Sequence, residues 1–513
     1  MQKIAAIDAG SNAMRMIVGN VNDAWQVETL ENIRLPVRLG RDVFRNGMLE
    51  EKTIQQAVNA FLHFQRVARN FGVVKTRAIA TSAMREAANA DILLDRIARS
   101  TGIEVEVISG AEEARLIHLA VASVIKLKGK RAVLIDIGGG SVEVTISENE
   151  NITSTESYNM GTVRLLQKLD GGGESAFNMF GRKRPFSTLV REYAEAARRR
   201  IDRELGPAHV NVCVGTGGTV EELGRLRQKL FKGSEADYIA LSELDEIIGT
   251  LSELSVKERV RKFKLRPDRA DVVLPAAIVL EIIAHEAHAR NVAIPGVGLK
   301  DGLLLEMADR LRAGPHPPRR AQVWESAIQL GRKYNIDASH AALTAKLARQ
   351  LFDQSRSLHN LGEEERLLLE IGALLHDVGH FINTIDHDKH GYYILKANQL
   401  IGLNDHQQEM VANLVRYHRK SIPSGEDPNF KALPQKDRIT VTKLSALLRL
   451  ADGMDVSHSN HVLGTALAEK KKGWQLSLRG KGDLMLEKWA LDKRRGLFEE
   501  IFGVPLFIMD KDA

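Results

Sequence analysis

Three glycine turns follow strand-like apolar segments, and acidic residues stand next to two of them. The turns cover residues 10–12, 138–141 and 215–219. Glycine leaves no side chain in the way, so backbone N–H groups in such turns can point directly at phosphate oxygens. One turn of this kind is weak evidence, but three in the same chain favour a site that handles phosphate.

The acidic residues suggest a divalent cation beside those turns. Asp8 and Asp136 each end a predicted strand, where a side chain faces a cleft rather than a core. Ser141 and Glu143 lie two residues apart, so they share one face of a strand. Asp136, Ser141 and Glu143 are therefore predicted to converge on one hydrated Mg²⁺. The alternative for Glu143 is a solvated acid on an exposed strand.

Two further charged segments have both a functional and a structural interpretation. Glu112 and Glu113 open a predicted helix after Ser109. A serine cap followed by acids in the first turn is also an ordinary way to begin a helix. Arg85 lies in a similar helix start, where its guanidinium could bind a phosphate through two parallel hydrogen bonds.

An internal repeat predicts the elements that hold these residues. IAAIDAGSNAMRMIVG at 4–19 resembles LIDIGGGSVEVTI at 134–146, and Asp8 and Asp136 are 128 positions apart. Each copy is an apolar strand ending in Asp, a Gly/Ser turn and a second strand. We expect a duplicated α/β domain with a cleft between its halves. The alternative is a chance likeness between two strand–turn–strand segments.

The remaining pattern divides the chain further. Around the repeats it predicts strands at 76–80, 103–108, 210–214 and 292–294, and helices at 55–71, 111–123 and 274–288. The segment AGPHPPRR (313–320) reads as a linker. Helices are expected from 322 to about 455, followed by strands at 474–478 and 505–509 around a helix at 484–502.

Composition excludes several classes of protein. The chain has 513 residues, 44% of them hydrophobic and 27% charged, which is ordinary for a globular protein of about three domains. The net charge of +6 is small for this length and does not indicate a protein that coats DNA. Cys213 is the single cysteine, so an internal disulfide is excluded. With no signal peptide or membrane span expected, we predict a cytoplasmic protein.

Taken together, these segments resemble the exopolyphosphatase/guanosine pentaphosphate phosphohydrolase (Ppx/GppA) family. The motifs occur in order and with matching spacing: AIDAGSNAMRM (6–16), ATSAMREAAN (80–89), ISGAEEARLIHLAV (108–121), LIDIGGGSVEV (134–144), VGTGGTVEEL (214–223), RPDRADVVLPA (266–276), GVGLKDGLLLE (296–306) and LVRYHRKSI (414–422). The resemblance covers nearly the whole chain. Lys300–Asp301–Gly302 departs from the usual Arg–Glu–Gly, although the charge signs are kept.

The resemblance implies a fold and a division into domains. The expected fold is a duplicated actin/hexokinase-like (ribonuclease H-like) α/β domain of two lobes, followed by an all-α HD-like domain and a small α+β C-terminal domain. The expected boundaries are 1–118 for lobe I, 119–312 for lobe II, 313–458 for the helical domain and 459–513 for the last domain.

The resemblance also implies roles for single residues. Glu113 matches the catalytic glutamate that activates water, and Arg85 matches a phosphate-binding arginine. Asp136 and Glu143 match the acids of the metal site. The matching phosphate-binding positions are Gly10, Ser11, Asn12, Gly138, Gly139, Gly140, Ser141, Gly217, Gly218, Thr219 and, on the far side, Arg269.

The implied activity is that of a Mg²⁺-dependent exopolyphosphatase, with Mn²⁺ as an alternative ion. It would release orthophosphate from inorganic polyphosphate; the close alternative is hydrolysis of guanosine pentaphosphate to the tetraphosphate. Basic clusters after residue 180, at 257–269 and at 319–320 could line the path of a phosphate chain, or could be solvated helix faces. We expect a homodimer that binds neither membrane nor specific nucleic acid. An actin-like ATP-binding module and a kinase remain open as alternatives, because fold alone does not decide the reaction.

The helical part carries a second pattern. His340, the pair His376–Asp377 and Asp452 resemble the ligands of HD-type metal phosphohydrolases, with His390 and His418 as additional candidates. The pattern predicts a second metal site and leaves an HD-type nucleotide phosphohydrolase open. The alternative is a helical extension that lengthens the polyphosphate path. A second His–Asp pair at 387–388 shows that such pairs also occur by chance in a chain with 16 histidines.

Overall fold

The computed structural model describes residues 2–22, 25–169, 185–206, 208–231, 237–313 and 317–510. The chain divides into two compact units, Met1–His316 and Pro317–Ala513. Each unit has its own buried core and is described by itself.

The first unit begins with a mixed sheet in the order β3-β2-β1-β4-β5. Strands β1, β2 and β3 are antiparallel, and β4 and β5 run parallel to β1. Helix α2 packs on this sheet through Phe61 and Phe64, which are fully buried. The strands are β1 (Gln2–Ala9), β2 (Met14–Val21), β3 (Val27–Leu35), β4 (Lys75–Ala80) and β5 (Val105–Val107).

A second sheet in the same unit repeats that order. Its strands are arranged β8-β7-β6-β9-β11-β10, with β6, β7 and β8 antiparallel and β9 parallel to β6. The duplicated two-lobed architecture expected from the repeat is therefore present. The strands are β6 (Arg131–Ile137), β7 (Val142–Glu148), β8 (Asn151–Tyr158), β9 (Val212–Thr216), β10 (Tyr238–Ala240) and β11 (Asn291–Ala293).

Helices cover both sheets. Helix α12 is buried from Val273 to Ala284 and almost wholly apolar over that length, as expected for a helix inside a core. The helices are α1 (Leu39–Asn46), α2 (Glu51–Phe71), α3 (Ser82–Glu86), α4 (Ala90–Thr101), α5 (Gly110–Ala122), α6 (Thr162–Leu169), α7 (Phe186–Leu205), α8 (Gly218–Leu230), α9 (Leu241–Ser252), α10 (Val256–Phe263), α11 (Pro267–Ala270), α12 (Val273–Glu286) and α13 (Leu299–Ala313).

The second unit is a helical core with a small sheet packed on it. Its helices are α14 (Pro317–Lys333), α15 (Ala338–Gln354), α16 (Arg356–His359), α17 (Glu363–Leu375), α18 (His387–Ala397), α19 (Asp405–Tyr417), α20 (Pro428–Lys431), α21 (Gln435–Gly453), α22 (Met485–Arg494) and α23 (Gly496–Phe502). Its sheet has the order β12-β13-β14, formed by Val462–Lys470, Gly473–Gly480 and Leu506–Asp510. Leu476, Phe498 and Leu506 belong to the same buried core as the helices.

Some boundaries differ from the sequence prediction. The predicted linker at 313–320 is shorter, because helix α14 already begins at Pro317; proline is well tolerated at the first helical position. Residues 314–316 of that linker lie outside the described residues. The helix predicted at 484–502 is two helices, which end and begin on either side of Arg495.

Strands β3, β8, β10 and β12 were not predicted. Strands β3 and β8 each lie at the edge of their sheet and are rich in polar residues, so their sequences lack the apolar run of a buried strand. Among the described helices, none is both long and apolar enough to cross a membrane.

Candidate active site

Two matching hairpins form the centre of the first unit. In one, Gly10 N donates to Ala13 O at 3.2 Å; in the other, Gly138 N donates to Ser141 O at 3.1 Å. Asp8 is paired across the first hairpin with Arg15, and Asp136 is paired across the second with Glu143. The backbones are therefore equivalent, while the charges beside the turns are not.

The turns of the two hairpins touch each other. A side chain at Gly139 would lie 3.1 Å from Asn12 N, and one at Gly140 would lie 1.9 Å from Ser82 Oγ. Ser82 Oγ in turn lies 3.0 Å from Ser11 Oγ. Arg164 Nε donates to Gly140 O at 2.6 Å and fixes the second turn from behind. Glycine at 140 is thus required by this close approach of the two halves.

The hairpins enclose a small cleft of about 90 Å³. Its walls contain the predicted phosphate-binding positions together with charged residues from both halves. The lining residues include Asp8, Gly10, Ser11, Asn12, Arg15, Arg34, Ser82, Glu113, Asp136, Gly138, Gly139, Gly140, Ser141, Gly217, Gly218, Thr219, Arg269 and Lys300.

Three carboxylates converge at one end of the cleft. Glu113 comes from the first turn of α5, Asp136 from the end of β6 and Glu143 from β7; one oxygen of each lies within 4.8 Å of the others. All three are buried. Burial, assisted by the neighbouring Asp136, raises the pKa of Glu143 to about 7. Burial also raises the pKa of Asp136. Burial and the nearby negative charge of Glu143 together raise the pKa of Glu113 well above its usual value.

Hydrogen bonds hold this acid cluster but leave some oxygens without partners. Thr216 Oγ1 donates to Asp136 Oδ1 at 2.6 Å, and Ser157 Oγ donates to Glu143 Oε1 at 2.8 Å. Within the described ranges, Asp8 Oδ1 and Glu143 Oε2 are buried and have no hydrogen-bond partner. Unpaired buried carboxylate oxygens are costly unless a cation or a proton compensates them. The donor set therefore fits a divalent cation that prefers oxygen ligands.

Helix α5 separates the two neighbouring glutamates. Ser109 Oγ accepts from Glu112 N, so the capping interpretation is correct for the helix start. Glu112 forms a two-bond ion pair with Arg115 at 2.7 and 2.8 Å. Glu113 instead points into the cleft, where Arg85 Nη1 donates to its Oε2 at 3.2 Å. The same Nη1 donates to Ile108 O at 2.6 Å, so Arg85 orients Glu113 as well as adding positive charge.

The third glycine turn is tighter than its sequence suggested. Strand β9 continues to Thr216 and helix α8 already begins at Gly218, so Gly217 alone makes the turn. Gly217 has φ +98°, and a side chain there would lie 2.6 Å from Ile137 O. Thr219 Oγ1 accepts from Arg269 Nη1 at 2.8 Å. This turn therefore brings Arg269 to the cleft.

We expect Gly217→Ala to destabilise the protein by about 1–3 kcal/mol, because the left-handed backbone and the contact with Ile137 O both oppose a side chain. Gly249→Ala is the matched control: it lies in helix α9 with nothing within 4 Å, and should stabilise by about 1 kcal/mol. Denaturant unfolding of both variants measures the difference. Equal stabilities would show that the turn tolerates a side chain.

Arginines crowd together in another part of the cleft lining. Burial and the neighbouring Arg15 and Arg34 lower the pKa of Arg269 to about 9. An open groove of about 500 Å³ extends from here, and it shares several residues with the cleft. Its charged lining consists of Arg15, Arg34, Glu221, Glu222, Arg225, Arg266, Arg269 and Lys300. Like charges held this close together are relieved when an anion binds.

Sequence reasoning missed part of this lining. Arg15 lies within the AIDAGSNAMRM segment but was given no role, and Arg34 lies outside every quoted motif. Both reach the cleft because β2 and β3 pair beside β1. Arg266 and Arg269 come from the basic segment predicted at 257–269. Arg198–Arg200 instead form ion pairs with Glu195, Glu286 and Glu156. Residues 181–184 lie outside the described residues.

The second unit brings together the residues that were predicted to form a second metal site. Donor atoms of His340, His376 and Asp452 lie within 4.8 Å of one another, and those of Asp377, His387 and His418 form a second such group. His387 was not among the predicted ligands. His390, which was a candidate, belongs to neither group.

Two family models match the chain. Residues 17–311 match the Ppx/GppA phosphatase family, and residues 324–494 match domain III of the Ppx/GppA phosphatases. Similar curated proteins include the guanosine-5'-triphosphate,3'-diphosphate pyrophosphatases of Photobacterium profundum and Vibrio atlanticus. The first is 28% identical over 453 residues, with 87% of this chain and 84% of the relative covered. The second is 27% identical over 454 residues, with coverages of 87% and 85%.

Solved structures show the same fold over about 60% of the chain. An exopolyphosphatase from Cytophaga hutchinsonii has 24% identity and a TM-score of 0.55, covering 60% of this chain and 98% of that protein. The Ppx/GppA family member of Aquifex aeolicus has 23% identity and a TM-score of 0.51, with coverages of 62% and 99%. These likenesses confirm the predicted actin-like fold of two lobes.

Proposed function

Since the chain belongs to the Ppx/GppA phosphatase family, whose members are phosphoanhydride hydrolases, we propose that it removes the terminal 5′ phosphoryl group of guanosine pentaphosphate. One observation carries the proposal: buried carboxylates and crowded arginines line the same cleft, together with three glycine turns. Carboxylates can hold water and a cation, while arginines and backbone N–H groups hold phosphate.

The choice of nucleotide rests on the relatives. The two pyrophosphatases named for guanosine-5'-triphosphate,3'-diphosphate resemble this chain over 87% of its length. The groove beside the cleft gives a second, basic region that suits the further phosphates of such a molecule. A 5′-triphosphate in the cleft and a 3′-diphosphate in the groove would use both regions.

The chain's own residues account for the chemistry. Glu113 accepts a proton from the attacking water, and its raised pKa suits a base that works near neutral pH. The water oxygen forms a bond to the terminal phosphorus while the bond from that phosphorus to the bridging oxygen breaks. Arg269 and the N–H groups of the turns stabilise the phosphoryl oxygens during this exchange. The products are orthophosphate and guanosine tetraphosphate.

Asp136 and Glu143 are the residues that would hold Mg²⁺, with Asp8 close by. The unpaired oxygens of Asp8 and Glu143 support this assignment. When bound, the ion would neutralise negative charge on the phosphoryl oxygens.

Inorganic polyphosphate is the second candidate substrate. The open groove of about 500 Å³ is lined largely by charged side chains and could hold a phosphate chain without any base to recognise. A related solved structure is also described as an exopolyphosphatase. Both substrates present the same terminal phosphoanhydride to the cleft.

Rates of orthophosphate release from the two substrates, measured side by side with Mg²⁺, test the proposal. We expect a higher kcat/KM for guanosine pentaphosphate. A higher value for long polyphosphate would favour the second candidate. Transfer of phosphate from ATP to an acceptor, without release from either substrate, would contradict hydrolysis altogether.

The acid cluster predicts a link between pH, Mg²⁺ and stability. Burial raises the pKa of Asp8 to about 6 and that of Glu143 to about 7, above their unfolded values. Their protonated forms therefore stabilise the folded, metal-free protein at low pH, and this contribution is lost as the pH rises through those values. Mg²⁺ takes the place of the protons, so it should raise Tm more at about pH 8 than at about pH 5.

The control for this measurement is Glu143→Gln, which removes one of the titrating groups. It should reduce the pH dependence of the Mg²⁺ effect. An equal Mg²⁺-induced shift of Tm at both pH values in the unsubstituted protein would contradict binding at these carboxylates.

A further inference from the structure

Four histidines and two aspartates meet inside the second unit. The side chains of His340, His376, His387 and His418 are at most 1% exposed. Each comes from a different place in the helical core, at or beside the ends of α15, α17, α18 and α19. Asp377 follows His376, and Asp452 lies in the last turn of α21.

The outer nitrogens of these rings fix where their protons lie. His340 Nδ1 is 2.7 Å from Asp455 Oδ2, and His376 Nδ1 is 2.8 Å from Ala373 O. His387 Nδ1 is 3.0 Å from Thr384 O, and His418 Nδ1 is 2.6 Å from Val415 O. Oxygens of carboxylates and carbonyls only accept, so each Nδ1 carries the proton. In the neutral rings, every Nε2 then presents a lone pair.

Those lone pairs face each other. His340 Nε2 lies 3.1 Å from His376 Nε2, and His387 Nε2 lies 3.2 Å from His418 Nε2. Two acceptors at this distance cannot hydrogen-bond to each other. Two imidazole nitrogens that bind one ion at about 2.0–2.1 Å are themselves about 3 Å apart. Each pair therefore has the spacing of two neighbouring ligands on a single cation.

Asp377 lies between the two pairs and faces both. Its Oδ2 is 3.8 Å from His340 Nε2 and 3.5 Å from His376 Nε2. Its Oδ1 is 3.3 Å from His387 Nε2 and 3.8 Å from His418 Nε2. One carboxylate with an oxygen toward each pair is the arrangement of a bridging ligand. This geometry indicates two ions rather than one.

Asp452 completes the first group. Its Oδ1 lies 3.9 Å from His340 Nε2 and 3.7 Å from His376 Nε2, while its Oδ2 accepts a hydrogen bond from Arg494. Arg494 thus orients the carboxylate and leaves one oxygen for a cation, as the partners of metal ligands commonly do. Arg419 Nη1 is 3.4 Å from His387 Nε2, too long for a strong hydrogen bond to that lone pair.

We propose that the second unit binds two divalent transition-metal ions bridged by Asp377. His340, His376, Asp452 and Asp377 Oδ2 hold the first; His387, His418 and Asp377 Oδ1 hold the second. Sets with this much imidazole favour Fe²⁺, Co²⁺ or Zn²⁺ over Mg²⁺. This site goes beyond the proposed function and shares no residue with the cleft.

Metal content of the full chain tests the proposal by subtraction. Metal-free protein is loaded with Co²⁺, freed of excess ion and measured by elemental analysis, alongside His376→Gln/His418→Gln. We expect the unsubstituted protein to retain two more ions per chain than this double variant. His418→Gln alone should lose one ion, and Asp377→Asn should weaken both. Ions held by the cleft cancel in the comparison.

The control is His390→Gln, since His390 lies on α18 but outside both groups. It should retain all the Co²⁺ of the unsubstituted protein. Equal Co²⁺ content in the unsubstituted protein and the folded double variant would overturn the proposal.

X-ray absorption on the unsubstituted, Co²⁺-loaded protein gives a second test that needs no variant. We expect scattering from imidazole rings and from a second metal at about 3.5–4 Å. Spectra without imidazole would overturn the site, and imidazole without metal–metal scattering would overturn the bridged pair.

Discussion

Glu113→Gln should lower kcat for phosphate release by about 10²- to 10⁴-fold, the usual contribution of a general base. The amide keeps the size of the side chain and an oxygen that can accept from Arg85, so the fold around the cleft is preserved. What is lost is the ability to take a proton from water. Single-turnover measurement of orthophosphate, with substrate binding measured separately, isolates that loss.

A role for Glu113 as a metal ligand would give a different pattern. Because its carboxylate lies within 4.8 Å of those of Asp136 and Glu143, the Mg²⁺ dependence must be measured on the same variant. If Glu113 acts only as a proton acceptor, the Glu113→Gln variant reaches half its maximal rate at the same Mg²⁺ concentration as the unsubstituted protein. Rates equal to those of the unsubstituted protein would remove Glu113 from the mechanism.

Glu112→Gln is the matched control on the neighbouring position. Glu112 pairs with Arg115, which also binds Glu306 at 2.6 Å. Loss of its charge should lower stability by about 1–3 kcal/mol and leave kcat nearly unchanged. Substitution of the two adjacent glutamates is thus expected to have different effects: at Glu113 it lowers the rate, and at Glu112 it lowers the stability.

Asp136→Asn should lower kcat/KM by about 10²- to 10³-fold and raise the Mg²⁺ concentration needed for activity, because several kcal/mol of charge stabilisation depend on the ion. The amide can still accept the hydrogen bond from Thr216. Titration of activity with Mg²⁺ measures both effects. Excess Mg²⁺ should restore part of the rate.

Thr216→Val separates orientation from charge. It removes the 2.6 Å hydrogen bond but keeps the carboxylate of Asp136. We expect about a tenfold loss, as for other groups that orient a metal ligand. If Asp136→Asn were no worse than Thr216→Val, the charge of Asp136 would not be what the reaction needs.

The sequence alone was sufficient for the framework of the cleft. The repeat around Asp8 and Asp136 predicted the duplicated sheets, since a strand, a glycine turn and a second strand are local patterns. Glu113 could be assigned only through the resemblance, because Ser109 and two acids begin many helices. The structure distinguishes the two glutamates, because Glu112 forms an ion pair with Arg115 whereas Glu113 lines the cleft.

Long-range partners were beyond the sequence. Arg34 becomes part of the cleft through strand pairing, and nothing in its neighbouring residues indicates it. His387 is a similar case, because the sequence alone does not distinguish its His–Asp pair from one that occurs by chance. It meets His418 only when α18 packs beside α19, whereas His390, three residues away, does not.

The two hairpins also show that a repeated backbone pattern can carry different charges. At one position of the same backbone frame, the first hairpin has an arginine opposite its aspartate and the second has a glutamate. The duplicated hairpins therefore differ in charge: Asp8 has a positive residue across its hairpin, whereas Asp136 has a negative one. The two copies are therefore no longer chemically interchangeable, although their backbones still match.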